Sequence, residues 1–404
     1  MTLVKTIPYQ FMQGTNNLLD VQDSAQARIN IGAASEVALS TSVAFLSARL
    51  GVWLDDYILA EETTWDNAIQ RALSAAILAG TGIVFSANVY TFAHPVVLNM
   101  PSKGLTLQGA GVDRTVLSFP SAVTGEVQLT IQSATDWYDF KWFGMSVVGS
   151  FAGTLVQIGR DNYVDPLNVA YFQDLAILNS GVSNESTVGL KLNYVVNSNF
   201  IGVRANCYAN GLGQNIGRAL VIRQLGFSNF GSCSFGNASY GISFLDGFSN
   251  GNVWHACDVE NVNIGIYNGS ANAGRNTFVG GQYSLWTQFA VQAPVGSGSN
   301  SRIEIINGNF SQTTNLVDPA NCVGVRISGL QWDVSTPSVP VSEGALQNTT
   351  GQSIDVYLSG GTGFSGVDVD GIQLGARQYV HLKPGQTIRL TYASAPSWIW
   401  RQSM

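Results

Sequence analysis

The stretch "CSFGNASYGI" (233–242) returns, altered, as "CDVENVNIGI" (257–266). Cys233 falls on Cys257, Asn237 on Asn261, Gly241 on Gly265 and Ile242 on Ile266, all at an offset of 24 residues. Strand-like runs surround the pair at a similar interval: "ALVIRQ" (219–224), "YGISFLD" (240–246), "IGIYNG" (264–269) and "FAVQAP" (289–294). After each comes a polar turn and a second run, "GSCSF" (231–235), "HACDV" (255–259), "FVGGQY" (278–283) and "IEIING" (303–308). Short strands bounded by Gly, Asn and Ser at regular spacing indicate an all-β chain. Side chains alternate, with Cys257 and Val259 on one face and Asp258 and Glu260 on the other. The period is too short for a four-stranded propeller blade. It suits one coil of a parallel β-helix, each coil stacked on the next at about 4.8 Å. Equivalent residues then form ladders, the cysteines inside and the asparagines at a corner, where Asn tolerates the left-handed conformation. The crossover rule makes the winding right-handed.

Composition narrows the function. Of 404 residues, 11% are charged, 45% are apolar and 44 are glycine. A disordered chain would be more charged, and a helical one richer in Ala, Glu, Lys and Leu. The net charge is −7 with no basic stripe, which argues against a nucleic-acid partner. An anionic glycan would need local Arg or Lys. "MTLVKTIPYQFMQG" at the start has no signal-peptide core. "AAILAGTGIVF" (75–85) is too short to span a bilayer. Synthesis in a cytoplasm without membrane insertion is expected. Cys207, Cys233, Cys257 and Cys322 include no CxxC pair, so buried free thiols are expected, with neither a metal site nor a cofactor.

Upstream, "TTWDNAIQRALSAAILAG" (63–80) places Ala68, Ile69, Ala72, Leu73, Ala76 and Ile77 on one helical stripe. Thr63 or Thr64 can cap its start and Gly80 its end, giving a helix that covers the first coil. Gly51-Val52, Asp55-Asp56, Ala68-Ile69-Gln70, Tyr90 and Gly109-Ala110-Gly111 together resemble the opening of the pectate-lyase-like β-helix proteins common in bacteriophage tailspikes. Ser86-Ala87 departs from the Pro and Gly usual there. "LLDVQDSAQARINIGAAS" (18–35) resembles a motif of phage tail-fibre N-terminal regions, and 348–400 is similar to a small β-domain that ends many phage tail proteins. These resemblances imply a virion tail appendage, a homotrimer, and attachment to phage tail or baseplate proteins through residues 1–50. They also imply recognition of host surface polysaccharide, lipopolysaccharide or capsule, which many such proteins cleave. The expected organisation is an attachment segment at 1–50, a capped β-helix at 51–340 and a small C-terminal β-sandwich at 341–404. "TPSVP" (336–340) reads as a linker, and Trp398 and Trp400 as core or trimer-contact residues.

Glycoside hydrolysis needs two carboxyl groups, about 5–5.5 Å apart for retention or about 6.5–9.5 Å for inversion. The leading candidates are Asp258 and Glu260, with Glu304 two coils along. Arg302 and Gln282 share that strip as substrate-binding residues, and Trp254 and Phe278, one repeat apart, are expected to stack outward as a sugar platform. A second cluster comprises Asp136, Trp137, Asp139, Trp142, Asp161, Tyr163 and Asp165. Its binding candidates are Asp136, Trp137 and Asp161. Asp174 and Glu185 are weaker, and Asp55 and Asp56 read as structural. His255 is expected inside or at a corner. Lyase chemistry could draw on Arg302 or Lys191, although no calcium-type Asp cluster is evident. Gly109-Ala110-Gly111 lacks the third glycine or the lysine of a nucleotide loop. Against catalysis stands the reading of Asp258 and Glu260 as a solvated face or a trimer seam. The alternative is therefore a non-enzymatic adhesin or structural tail appendage; a free bacterial pectate lyase fits the N-terminal region poorly.

Overall fold

The computed structural model describes residues 51–402 apart from 121–125, 163, 181–185, 208–216, 246, 295–301, 312–314, 323, 329–335 and 351–352. Residues 1–50, including the motif at 18–35, lie outside the described residues, as do Tyr163 and Glu185.

Strands between Val52 and Ser328 pair in parallel, each with its equivalent in the next coil. One coil runs through Arg218–Ile222, Leu225–Gly226 and Asn229–Gly231 into the first residues of Ser234–Phe244. Ser234–Phe244 lies beside Asp258–Asn268 with Ser234 against Asp258, Ala238 against Val262 and Ile242 against Ile266. The sequence echo is therefore one coil stacked on the next. Cys233 and Cys257 are buried one above the other inside the rod. A hydrogen bond to Cys233, and then burial, raise the Cys257 thiol well above the ordinary range, so it stays protonated. Cys207 is likewise a buried free thiol, raised by burial.

The bends are single residues in the left-handed region. Asp174, Gly202, Ser232, Ala256, Gly280 and Asn307 form one corner ladder, with φ between 48° and 67°. Asp139, Val169, Asn197, Phe227 and Gly251 form a second, and Asn237, Asn261 and Leu285 a third. Asn261 Nδ2 donates to Asn237 Oδ1 at 2.6 Å, as a corner ladder requires. Asn261→Ala is expected to cost about 1–2 kcal/mol, from left-handed strain plus one hydrogen bond. Asn261→Gly should cost less because glycine takes the left-handed conformation without strain, an advantage reduced by about 0.5–1 kcal/mol through its freedom in the unfolded chain. Thermal unfolding compares the two, and equal losses would mean that the left-handed strain does not exceed that offset.

Inside the rod, Trp142, Phe172, Phe200, Phe230, Trp254 and Phe278 occupy equivalent positions on successive coils. Phe200 stacks on Phe230 with centroids 4.3 Å apart, and Phe230 on Trp254 at 3.7 Å. The end of the rod is covered by a helix, Asp66–Ala79, which buries Ala68, Ile69, Ala72, Leu73 and Ala76. Gly80 ends it in the left-handed conformation, as the sequence indicates. Its start differs from expectation: Trp65 holds the cap position and forms no side-chain cap. Asp66 instead ties the first turn outward, accepting from the N–H groups of Ala93 and His94 at 3.1 and 2.8 Å. Asp55 accepts the hydroxyl of buried Tyr90 at 2.9 Å, a structural role.

The C-terminal strands are antiparallel. Ala345–Gln347, Thr387–Thr391, Gly366–Val369 and Ile372–Gly375 form one sheet. Tyr379–Leu382, Ile354–Ser359 and Ser397–Gln402 form the other. Between the sheets, Val356, Leu358, Val367, Ile388, Trp398 and Trp400 share a core. Trp398 Nε1 donates to Pro337 O at 2.7 Å, which fastens the linker to this sandwich.

Candidate functional site

Asp258 and Glu260 both face outward from Asp258–Asn268, with Val259 buried between them. Alternate residues on a strand lie about 7 Å apart. Gln282 follows Asp258 one coil on, and its N–H donates to Asp258 Oδ1 at 3.0 Å. Those three residues are brought together. Arg302 and Glu304 are not among them: they lie on Arg302–Ile306, which continues the ladder of Asn252–His255 and Arg275–Val279 on the far side of a corner. Glu304 Oε1 pairs with Arg302 at 3.0 Å and with Arg326 at 3.8 Å.

The outward aromatic platform is corrected. Trp254 and Phe278 do stack, at 5.0 Å, but inside the rod and 1% exposed. The reason is the corner at Ala256. One left-handed residue shifts the alternation by a step, so Trp254 and Cys257 both point inward while His255 is exposed. Of the two places expected for His255, inside or at a corner, it takes the second, exposed beside the corner residue Ala256. Trp137 and Trp142 are buried too, which leaves only Asp136 and Asp161 of the second cluster's binding candidates at the surface. Asp161 accepts from Lys191 Nζ at 2.8 Å and from Asn193 Nδ2 at 3.2 Å. Burial pushes its carboxyl up, but these bonds and the nearby charges hold it below the ordinary value. Arg160 pairs with Asp165 at 3.0 Å, so this segment is a cross-linked turn. Asp174 is a corner residue with φ 51°.

A different site stands out on the wall. A groove of about 870 Å³ is lined by Phe227, Phe248, Asn250, Asn272, Arg275 and Arg302 among others. Phe227 is 60% exposed and Phe248 45%. Phe227 also sits at a corner with φ 50°, a conformation costly for a bulky residue. Gly251, its equivalent one coil on, leaves room for the ring: a Cβ there would lie 2.7 Å from Phe227. Arg275 and Arg302 are register partners on adjacent strands. Sequence reasoning reached Arg302 but missed Phe227, Phe248 and Arg275. One signal was available: "GFSN" occurs at 226–229 and again at 247–250, an offset of 21 that breaks the 24-residue echo. The structure aligns Gly226 with Asn250, so the two phenylalanines are not equivalents and instead flank one step between coils.

Among the described residues no group of three or more His, Cys, Asp or Glu could hold a metal, and no helix is long and apolar enough to cross a membrane. Fold and surface together define a parallel β-helix with an aromatic and cationic groove on its wall. No family model matches the chain, and no curated protein matches it. Among solved structures it is similar to a mutant tailspike protein of E. coli bacteriophage HK620 in complex with a pentasaccharide. That match has 9% identity and a TM-score of 0.45, over 89% of this chain and 94% of that one. Tailspike protein 2 of the Escherichia coli O157:H7 bacteriophage CAB120 is similar at 11% identity and a TM-score of 0.41. There the match covers 88% of this chain but only 63% of the tailspike. The A-module of the Azotobacter vinelandii mannuronan C-5 epimerase AlgE4 matches at 12% identity and a TM-score of 0.30, over 66% of this chain and 97% of the module. What they share with this chain is the fold.

Proposed function

We propose that this chain is a trimeric phage tail appendage of the tailspike kind, whose β-helix binds a host surface polysaccharide along its outer wall. The observation that carries the reading is the groove. It presents two exposed phenylalanine rings, one of them at a left-handed corner of the coil, beside amide and guanidinium groups. Aromatic faces pack against the apolar faces of sugar rings, while the amides and guanidiniums meet the hydroxyls. The phage-like segments at 18–35, 51–120 and 348–400 support the virion assignment.

Cleavage is the second reading, favoured by Asp258 and Glu260 on one outward strand face. Their spacing, about 7 Å, suits an inverting pair. Against it, Asp258 already caps the next coil's backbone. Lipopolysaccharide and capsule from a panel of bacterial hosts, applied to the immobilised protein, test both readings. Stable binding to at least one polysaccharide is expected, unchanged in Asp258→Asn and Glu260→Gln. Absence of binding across the panel would overturn the assignment. New reducing ends that vanish in both variants would establish the hydrolase; binding without them would leave the adhesin.

A further inference from the structure

We propose that the wall groove selects an acidic sugar, one whose anionic group sits between Arg275 and Arg302 while its ring lies against Phe227 and Phe248. This deepens the polysaccharide reading above and rests on it. The first argument is electrostatic. Arg275 and Arg302 are direct register partners on neighbouring parallel strands, whose backbones lie about 4.8 Å apart. Like charges placed directly opposite each other destabilise a sheet. The chain is acidic overall, at −7, and has only 19 Lys and Arg in 404 residues, so two adjacent guanidiniums are not a by-product of a basic surface.

The second argument is the local balance. Glu304 pairs with Arg302 at 3.0 Å and is shared with Arg326 at 3.8 Å. No carboxylate among the described residues pairs with Arg275, which is exposed. Among the described residues the local sum is three guanidiniums to one carboxylate, and both groove arginines line the same cavity as the exposed rings. An anion placed there relieves the repulsion and gains charge-assisted hydrogen bonds from planar donors matched to carboxylate or phosphate. Asn250 and Asn272 at the groove wall supply neutral donors and acceptors for ring hydroxyls. A neutral sugar would satisfy the rings and amides but leave the arginine pair unrelieved.

Three probes sharing one ring separate the terms: galactose, galacturonate and galactose 6-phosphate. Saturation-transfer NMR on the full-length protein reads binding of each, with Arg275→Ala, Arg302→Ala and Arg275→Lys alongside. At least one acidic probe is expected to bind at least about tenfold more tightly than galactose, a difference that is lost in Arg275→Ala and Arg302→Ala. The stronger of the two names the source, a uronate or a sugar phosphate. Binding should weaken as NaCl is raised, and Arg275→Lys should retain only part of the preference. Equal binding of galactose, acid preference that survives both alanine variants, or no acid-probe binding at all would overturn the inference. These failures are distinct from failure of the polysaccharide reading, which the host polysaccharide panel decides. A polymer that binds wild type and Arg275→Ala equally would retain that reading and remove the charge assignment.

Discussion

Phe227→Gly is expected to keep the fold while weakening polysaccharide binding about tenfold or more. Phe227 occupies the left-handed region at φ 50° with its ring 60% exposed. A non-glycine residue there costs roughly 1–2 kcal/mol, which glycine removes. Glycine's greater freedom in the unfolded chain costs about 0.5–1 kcal/mol in return. Thermal stability should therefore stay within about 1 kcal/mol of wild type or rise. Phe227→Ala should lose binding just as fully but retain the strain, so it should be no more stable than the glycine variant. Calorimetric melting and polysaccharide binding, measured on both variants, separate the ring from the backbone. A large loss of stability with binding intact would make the ring a packing residue and remove the groove from the account.

Trp254→Ala should do the opposite, destabilising the rod by about 3–5 kcal/mol, the usual cost of deleting a buried large aromatic. Trp254 sits between Phe230 and Phe278 and meets Phe235 and Phe244 edge-on. In a solenoid each coil rests only on its neighbours, so a cavity at one coil loosens the stack above and below it. Trp254→Phe should be far milder. It keeps the stacking and deletes an indole N–H that is buried without a partner, which itself costs about 1–3 kcal/mol. Urea unfolding followed by tryptophan fluorescence and limited proteolysis measures both variants. If Trp254→Ala bound poorly but unfolded like wild type, the residue would belong to an outward sugar platform.

The rod was legible because its signal is local and repeated. The echo from Cys233 to Cys257 survives in the structure residue for residue, including the asparagine corner. The covering helix and its Gly80 end were legible for the same reason, since an apolar stripe and a glycine stop are properties of a short segment. The helix start was not, because Asp66 bonds to residues 93 and 94, which are distant in sequence. The candidate site was legible in part. Asp258, Glu260 and Gln282 share a face because they lie on one side of a corner. Trp254 and Phe278 were misplaced because alternation was carried through Ala256, and nothing in an alanine announces a left-handed bend.

The sequence by itself determined the all-β solenoid, the 24-residue step from Cys233 to Cys257, the inward thiols and the corner asparagines. Those follow from hydrogen-bonding geometry repeated every coil, and two neighbouring coils are enough to reveal it. Only the tertiary structure decided which way the aromatics face and where the wall opens. Phe227 and Phe248 stand 21 residues apart, and Arg275 and Arg302 stand 27 apart, so neither pair fits the 24-residue interval. They converge because coils of unequal length are stacked in register by their backbones, and that stacking, not the spacing along the chain, sets which side chains meet.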